Sequence, residues 1–180
     1  MSWKKLRHLL IGAAIALVLI APLAALAFIK SGLFNVAASH PHTKLTEWIT
    51  HETMIHSARR HGARSVMPAH FTTPQIVGGF CTYETHCVAC HGAPAIAREQ
   101  WVNGMEPAPP YLLDDTQVWS PPELFWIAKN GIKMTGMPSF GTTGVSDDEI
   151  WKIVAFVKKL PDVKDADYKA WTSSAPAPRQ

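Results

Sequence analysis

The sequence predicts an all-α protein with an N-terminal transmembrane helix and a compact domain outside the membrane. Three observations carry this. An uncharged apolar run of 21 residues, Leu9 to Ile29, lies near the start. Later segments repeat apolar residues at helical spacing behind recognisable start signals. No stretch alternates polar and apolar residues as a half-buried strand does.

At ~1.5 Å per residue the apolar run reaches ~30 Å, the thickness of a bilayer's hydrocarbon core. It exceeds the ~7–15 apolar residues of a signal peptide. Lys4, Lys5 and Arg7 precede it, so the positive-inside rule sends the rest of the chain outward. Pro22 is tolerable in lipid, where neighbouring groups satisfy the freed carbonyl. The competing reading is a cleaved signal peptide, with Ala25-Leu26-Ala27 as its small-residue site. Length favours an uncleaved anchor over residues 1–30. Both readings send the remainder to the same compartment.

Residues 31–73 read as an outer linker that carries an amphipathic helix. Gly32, Asn35 and Pro41 break its beginning. From 45 to 61, Leu45, Trp48, Ile49 and Ile55 share one broad face, and Gly62 stops the run. The compact domain spans residues 74–162. Its first helix is expected from Gln75 to Cys90, followed by loops rich in proline. Ser120 and Glu123 form a capping box around Pro121-Pro122 and open a second helix. A last helix starts at Ser146, with Asp147, Asp148 and Glu149 placed to complement its dipole. Ile150, Ile153, Val154 and Val157 make its buried stripe, and Pro161 bars its continuation. Residues 163–180, ending SSAPAPRQ, read as a flexible tail.

Charge is divided along the chain. Residues 1–70 hold eight Lys/Arg against two Asp/Glu, whereas residues 71–165 hold seven against eleven. The basic character therefore lies outside the compact domain. That argues against nucleic-acid binding and suits a membrane with anionic lipids. His51-Glu52-Thr-Met-Ile-His56 has one residue too many for the zinc-protease helix, because five residues turn the two imidazoles ~140° apart. With Arg59, Arg60, His61 and Arg64 these histidines read as a solvated face, or as a contact for anionic headgroups or an acidic partner.

The chemistry lies in Cys87-Val88-Ala89-Cys90-His91. C-x-x-C-H is the pattern of c-type haem attachment. Two thiols three residues apart sit on one side of a helical turn and reach the two vinyl groups of one porphyrin. The next residue, His91, then points its imidazole at the iron. A structural zinc site would need a second ligand pair at comparable spacing, and no second Cys pair exists. A thioredoxin-like site would need a βαβ setting. Downstream, Met137 in Gly136-Met137-Pro138 is the favoured sixth ligand, since its neighbours make a rigid loop. A thioether is a soft ligand that raises the potential of a His-ligated iron. Met134 is expected to pack instead, Cys81 to be a small buried residue, and Trp119 and Trp126 to lie in the core. An indole hydrogen bond to a haem propionate is a further reading of the two tryptophans.

These features together resemble class I cytochrome c over roughly residues 75–162. The resemblance rests on CVACHG at 87–92, GMPSFG at 136–141, the closing helix DDEIWKIVAFVKKL, and the placement of Gly79 and Tyr83 ahead of the cysteines. It implies a few helices wrapped round one covalent haem c, with His91 and Met137 as metal ligands. It also implies that Gly79 meets Phe156 or Trp151 where the first and last helices cross. A proline carbonyl, from Pro109, Pro110 or less readily Pro94, would orient His91. The function implied is single-electron transfer, by a tethered carrier or a fixed subunit of a larger oxidoreductase, rather than catalysis. Its expected partners are a dehydrogenase or quinol-oxidising complex, a terminal oxidase or reductase, and membrane lipid. The expected location is a bacterial inner membrane, crossed once, with the haem domain in the periplasm.

Overall fold

The computed structural model describes residues 2–115 and 118–174, and among these it contains helices and no β-strand. The chain divides into two units, Met1–His40 and Pro41–Gln180.

The first unit is essentially one helix, α1, Trp3–Ser31, in which no residue is buried. It is long and apolar enough to cross a membrane. Pro22 sits inside it without ending it.

The second unit begins with α2, Lys44–Gly62, capped by the Thr43 side chain. Helix α3, Thr73–His86, starts at a capping box formed by Thr72 and Gln75, with Pro74 in its first turn. It ends sooner than the expected Cys90. Cys87 stays in the right-handed region but opens to φ −117°, ψ −37°, and a separate four-residue turn, α4, Val88–His91, follows. A 3-10 turn at Gln100–Gly104 and α5, Leu112–Asp115, punctuate the proline-rich stretch. Helix α6, Pro121–Asn130, opens on the Ser120/Glu123 capping box. Helix α7, Asp147–Lys159, opens on a second one, formed by Ser146 and Glu149.

The core forms where α3 crosses α7. A Cβ on Gly79 would stand 1.9 Å from the Lys152 carbonyl oxygen and 2.8 Å from the Phe156 Cβ. Only glycine lets the two backbones approach this closely. Phe156 is thus the aromatic at the crossing, whereas Trp151 stacks on Phe125 of α6, with centroids 4.2 Å apart. The α7 stripe Ile150, Ile153, Val154 and Val157 is buried, together with Phe80 and Tyr83 of α3.

Two boundaries differ from the sequence expectation. The first is the linker: α2 packs on α6 and belongs to the same unit as the compact domain. Helix α2 ends at Gly62, as expected, and a Cβ there would meet the Glu123 Cα at 2.8 Å, so this glycine also lets α2 approach α6. The second is the tail. Residues Asp165–Ser174 form α8 rather than a flexible segment. Tyr168 is fully buried, its ring 5.4 Å from Phe80, and its hydroxyl donates to the Glu84 carboxylate. Two aromatic residues in an otherwise polar stretch outweigh its composition. The last residues of that expected tail, 175–180, lie outside the described part.

Candidate functional site

The C-x-x-C-H motif forms a single helical turn. The Cys87 carbonyl accepts from the Cys90 N–H at 3.1 Å and from the His91 N–H at 2.9 Å. Both cysteines are free thiols, Cys87 buried and Cys90 half-buried. Burial, reinforced by Cys90, pushes the Cys87 thiol up to about 12. It is therefore neutral, unlike the thiolate of a disulfide oxidoreductase. The turn is clamped from α3, since the buried Tyr83 hydroxyl donates to the Gly92 carbonyl at 2.6 Å. Burial raises the Tyr83 phenol well above its ordinary range, which keeps that donor protonated.

His91 is held by Pro110. Its Nδ1 lies 2.9 Å from the Pro110 carbonyl oxygen, which can only accept. Nδ1 therefore carries the proton, and Nε2 keeps its lone pair for a metal. Burial lowers the His91 pKa, partly opposed by the Pro110 hydrogen bond, so the ring is biased to the neutral form a ligand needs.

A residue that the sequence did not mark secures Pro110 in turn. Arg98 donates from one guanidinium nitrogen to the Pro109 carbonyl, and its guanidinium carbon lies 4.0 Å from the centre of the Tyr111 ring. Its Nε is buried with no partner among the described residues. A buried charged donor without an acceptor is costly. The propionate carboxylates of a haem are acceptors of the required kind. The isolated arginine in a proline-rich loop carried no pattern that would have exposed this role.

The methionine loop is fastened to the end of α6. Phe140 N–H donates to the Ala128 carbonyl at 3.2 Å and Gly141 N–H to the Lys129 carbonyl at 2.9 Å. Ser139 Oγ donates to the same Lys129 oxygen at 2.7 Å. Gly131 opens the loop at φ +66°, with Met137 and Pro138 backbone atoms 2.7 Å from where its Cβ would be. Any other residue there would be strained and would displace Met137. Met137 is half-buried and its N–H donates to Thr135 Oγ1 at 3.1 Å. Met134 does not pack as expected: it is 96% exposed at φ +60°, a turn geometry that throws its side chain outward.

Three contacts tie this loop to the haem-attachment turn. The His86 and Phe140 rings are 5.7 Å apart. Glu99 N–H donates to the Ala89 carbonyl at 2.9 Å and leads into the 3-10 turn. That turn ends at Met105, whose Sδ and Cε lie against Gly136, 3.1 and 2.4 Å from an added Cβ. Met105 is thus a second thioether against the methionine loop, and it carried no sequence signal.

Other expected residues lie elsewhere. Cys81 is exposed, because α3 turns Ile76, Gly79, Phe80 and Tyr83 to the core. Trp126 is half-buried and stacks on His61 of α2, with centroids 5.4 Å apart. Its ring serves the α2–α6 contact rather than the core. Lys158 Nζ donates to the Trp119 carbonyl at 3.2 Å. Among the described residues, no group of three or more His, Cys, Asp or Glu side chains converges to hold a metal ion by itself.

Two free thiols on one turn, an oriented imidazole with a free nitrogen and an orphaned guanidinium donor fit a covalently held iron porphyrin. They define a c-type cytochrome domain. Residues 74–157 match the family model described as cytochrome c oxidase, cbb3-type, subunit III. A comparison with curated proteins finds no match. The all-helical domain is thus of the cytochrome c family. It binds haem c covalently, one group being usual for such a domain, and its role is electron transfer.

Proposed function

We propose that this protein is a membrane-anchored electron-transfer chain whose single haem is stitched to Cys87 and Cys90 and ligated by His91 and Met137. The observation that carries the reading is the His91–Pro110 hydrogen bond, which leaves Nε2 unprotonated beside Cys90 and the buried, neutral Cys87 thiol. The haem supplies a reversible one-electron couple when bound. The chain's own residues attach it, orient one axial imidazole and offer one axial thioether. With both axial positions filled, the iron has no open site for a substrate, so electrons would pass at the haem edge.

Helix α1 supports an uncleaved anchor, with the N-terminus in the cytoplasm and the haem domain in the periplasm of a bacterial-type cell. The partners would be redox proteins on that side, a dehydrogenase or quinol-oxidising complex as donor and a terminal oxidase or reductase as acceptor. A second reading, a permanent haem subunit of an oxidase, is favoured by the oxidase-subunit family model and by the docking of α2 on α6.

The test begins with haem staining of a denaturing gel. Haem should stay with the wild-type chain and vanish with Cys87→Ala/Cys90→Ala. A colourless wild-type protein would end the proposal. Gentle solubilisation followed by sizing separates the two readings. Recovery only with stoichiometric partner chains favours the subunit, and recovery alone favours the tethered carrier.

A further inference from the structure

We propose that the outward face of α2 lies on the membrane surface and binds anionic lipid headgroups, holding the haem domain against the bilayer. This rests on the anchored reading of α1. Helix α2 docks on α6 through Ala58 and Gly62, which are buried, and through His61 against Trp126. At ~100° per residue, Trp48, Leu45 and Ile49 fall in a ~100° sector centred ~110° round the helix from those two buried residues. They are 61%, 65% and 48% exposed. His56, Arg59 and Arg60, all exposed, lie in or at the edge of the same sector two to three turns further on. Glu52 lies between the apolar and the basic residues in that sector, its carboxylate 3.5 Å from His56 Nε2. The face is therefore apolar at its N-terminal end and net basic at its C-terminal end, where Arg59 and Arg60 outnumber that one carboxylate.

A packed soluble domain has no reason to leave a tryptophan, a leucine and an isoleucine together in water. An interfacial helix has this composition: an apolar face with tryptophan, and arginines that meet headgroup phosphates. The chain also limits the choice of occupant. Twelve residues, Gly32 to Thr43, separate α1 from α2, so flexible chain would keep α2 within ~20 Å of the anchor's end on average. Leu33, Phe34 and Val36 within that tether are themselves exposed, and no Asp or Glu occurs before Glu47. Self-association is disfavoured, because parallel pairing of two such faces would juxtapose Arg59 and Arg60 with their own copies, and antiparallel pairing would set them against the partner's Lys44 and Leu45 end.

The test uses the full, haem-loaded chain carrying Ile49→Cys and Cys81→Ser, spin-labelled at residue 49. The protein is reconstituted in neutral phosphatidylcholine vesicles and in vesicles with one part in three of phosphatidylglycerol. Collision with oxygen and with a water-soluble nickel chelate reports burial in lipid, and the haem spectrum reports folding. In the anionic vesicles the label should be shielded severalfold from nickel relative to detergent. Arg59→Glu/Arg60→Glu should abolish the shielding and leave the haem spectrum unchanged. Equal nickel access in both vesicles and detergent overturns the proposal. So does shielding that rises with protein-to-lipid ratio, which means self-association, or that appears only with a partner protein present. Flotation in alkaline carbonate tests the anchor separately. A chain that carbonate releases, but that is shielded on anionic vesicles at neutral pH, disproves the anchor and keeps the surface contact. A chain that binds neither vesicle disproves both.

Discussion

A Met137→Ala substitution removes a thioether while leaving both cysteines and His91 in place. Haem should stay covalently bound on a denaturing gel, while the optical spectrum shifts to high-spin or mis-ligated iron and the potential falls. An unchanged spectrum and potential would transfer the ligand role to another residue, and Met105, whose thioether lies against Gly136, is the one to examine. Arg98 makes a second residue-scale test, because it reaches the site both through the Pro109 carbonyl and through its unpartnered Nε. Arg98→Gln removes the charged donor to the Pro109 carbonyl and the contact with Tyr111. Loss of one hydrogen bond from a charged group predicts ~1.5–3 kcal/mol less stability. If Arg98 positions Pro110 and thereby His91, the redox potential should move as well, and Arg98→Lys should restore only part of it. A drop in melting temperature with an unmoved potential would reduce Arg98 to a structural role.

At the scale of elements, the helix starts and the α7 stripe were legible because they are local patterns. The Ser120/Glu123 capping box announces one helix, Ser146 with the acidic run behind it announces another, and both helices begin there. The break at Cys87 was not legible, since nothing in the local composition separates it from the helix before it. The burial of Tyr83 and its bond to the Gly92 carbonyl depend on where the turn folds back. The crossing of α3 and α7 gives a sharp prediction. Gly79→Ala would drive a methyl group into the Lys152 carbonyl at 1.9 Å, and that backbone cannot yield without moving the helix. The cost should reach ~3 kcal/mol or more, seen as a lower denaturant midpoint at constant slope. The Ser146 cap makes a pH prediction. Hydrogen bonds from Ser146 hold the Glu149 carboxyl below its ordinary range. Its contribution is therefore complete above the unfolded carboxylate's pKa and is lost as pH falls through the lower folded value. Glu149→Gln should lower stability at neutral pH and flatten the acid limb of a melting-temperature profile. An unchanged acid limb would show that the cap contributes nothing.

For the whole molecule, the sequence led to the haem motif, the methionine loop and the helical class, yet misplaced the edges of the compact unit. The motif is legible because thioether chemistry fixes its spacing within five residues. The edges were missed because each depends on a distant partner. Helix α2 reads as part of a linker until Gly62 is seen against Glu123, and Tyr168 reads as tail until Phe80 and Glu84 surround it. The haem domain is thus wider than its recognisable part, with α2 on α6 and α8 on the α3–α7 crossing. Helix α8 is the more stringent case, because composition argues for disorder there. Tyr168 is fully buried among Phe80, Phe156 and Leu160, and Trp171 packs T-shaped with Phe80, ring centroids 5.6 Å apart. Removing a buried aromatic of this size costs ~3–5 kcal/mol, so Tyr168→Ala should approach the effect of ending the chain at Lys164. Burial, helped by Glu84, also raises the Tyr168 phenol above its ordinary range. The folded chain then holds the proton to higher pH than the unfolded chain does. Stability from this group is complete below the ordinary tyrosine range and drains away as pH climbs through it. Tyr168→Phe should remove the hydroxyl's share of that alkaline loss while keeping the ring packing, leaving only the part that Tyr83 contributes. Should Tyr168→Ala melt with the wild type, α8 would be a bystander and the compact domain would end near Pro161 after all.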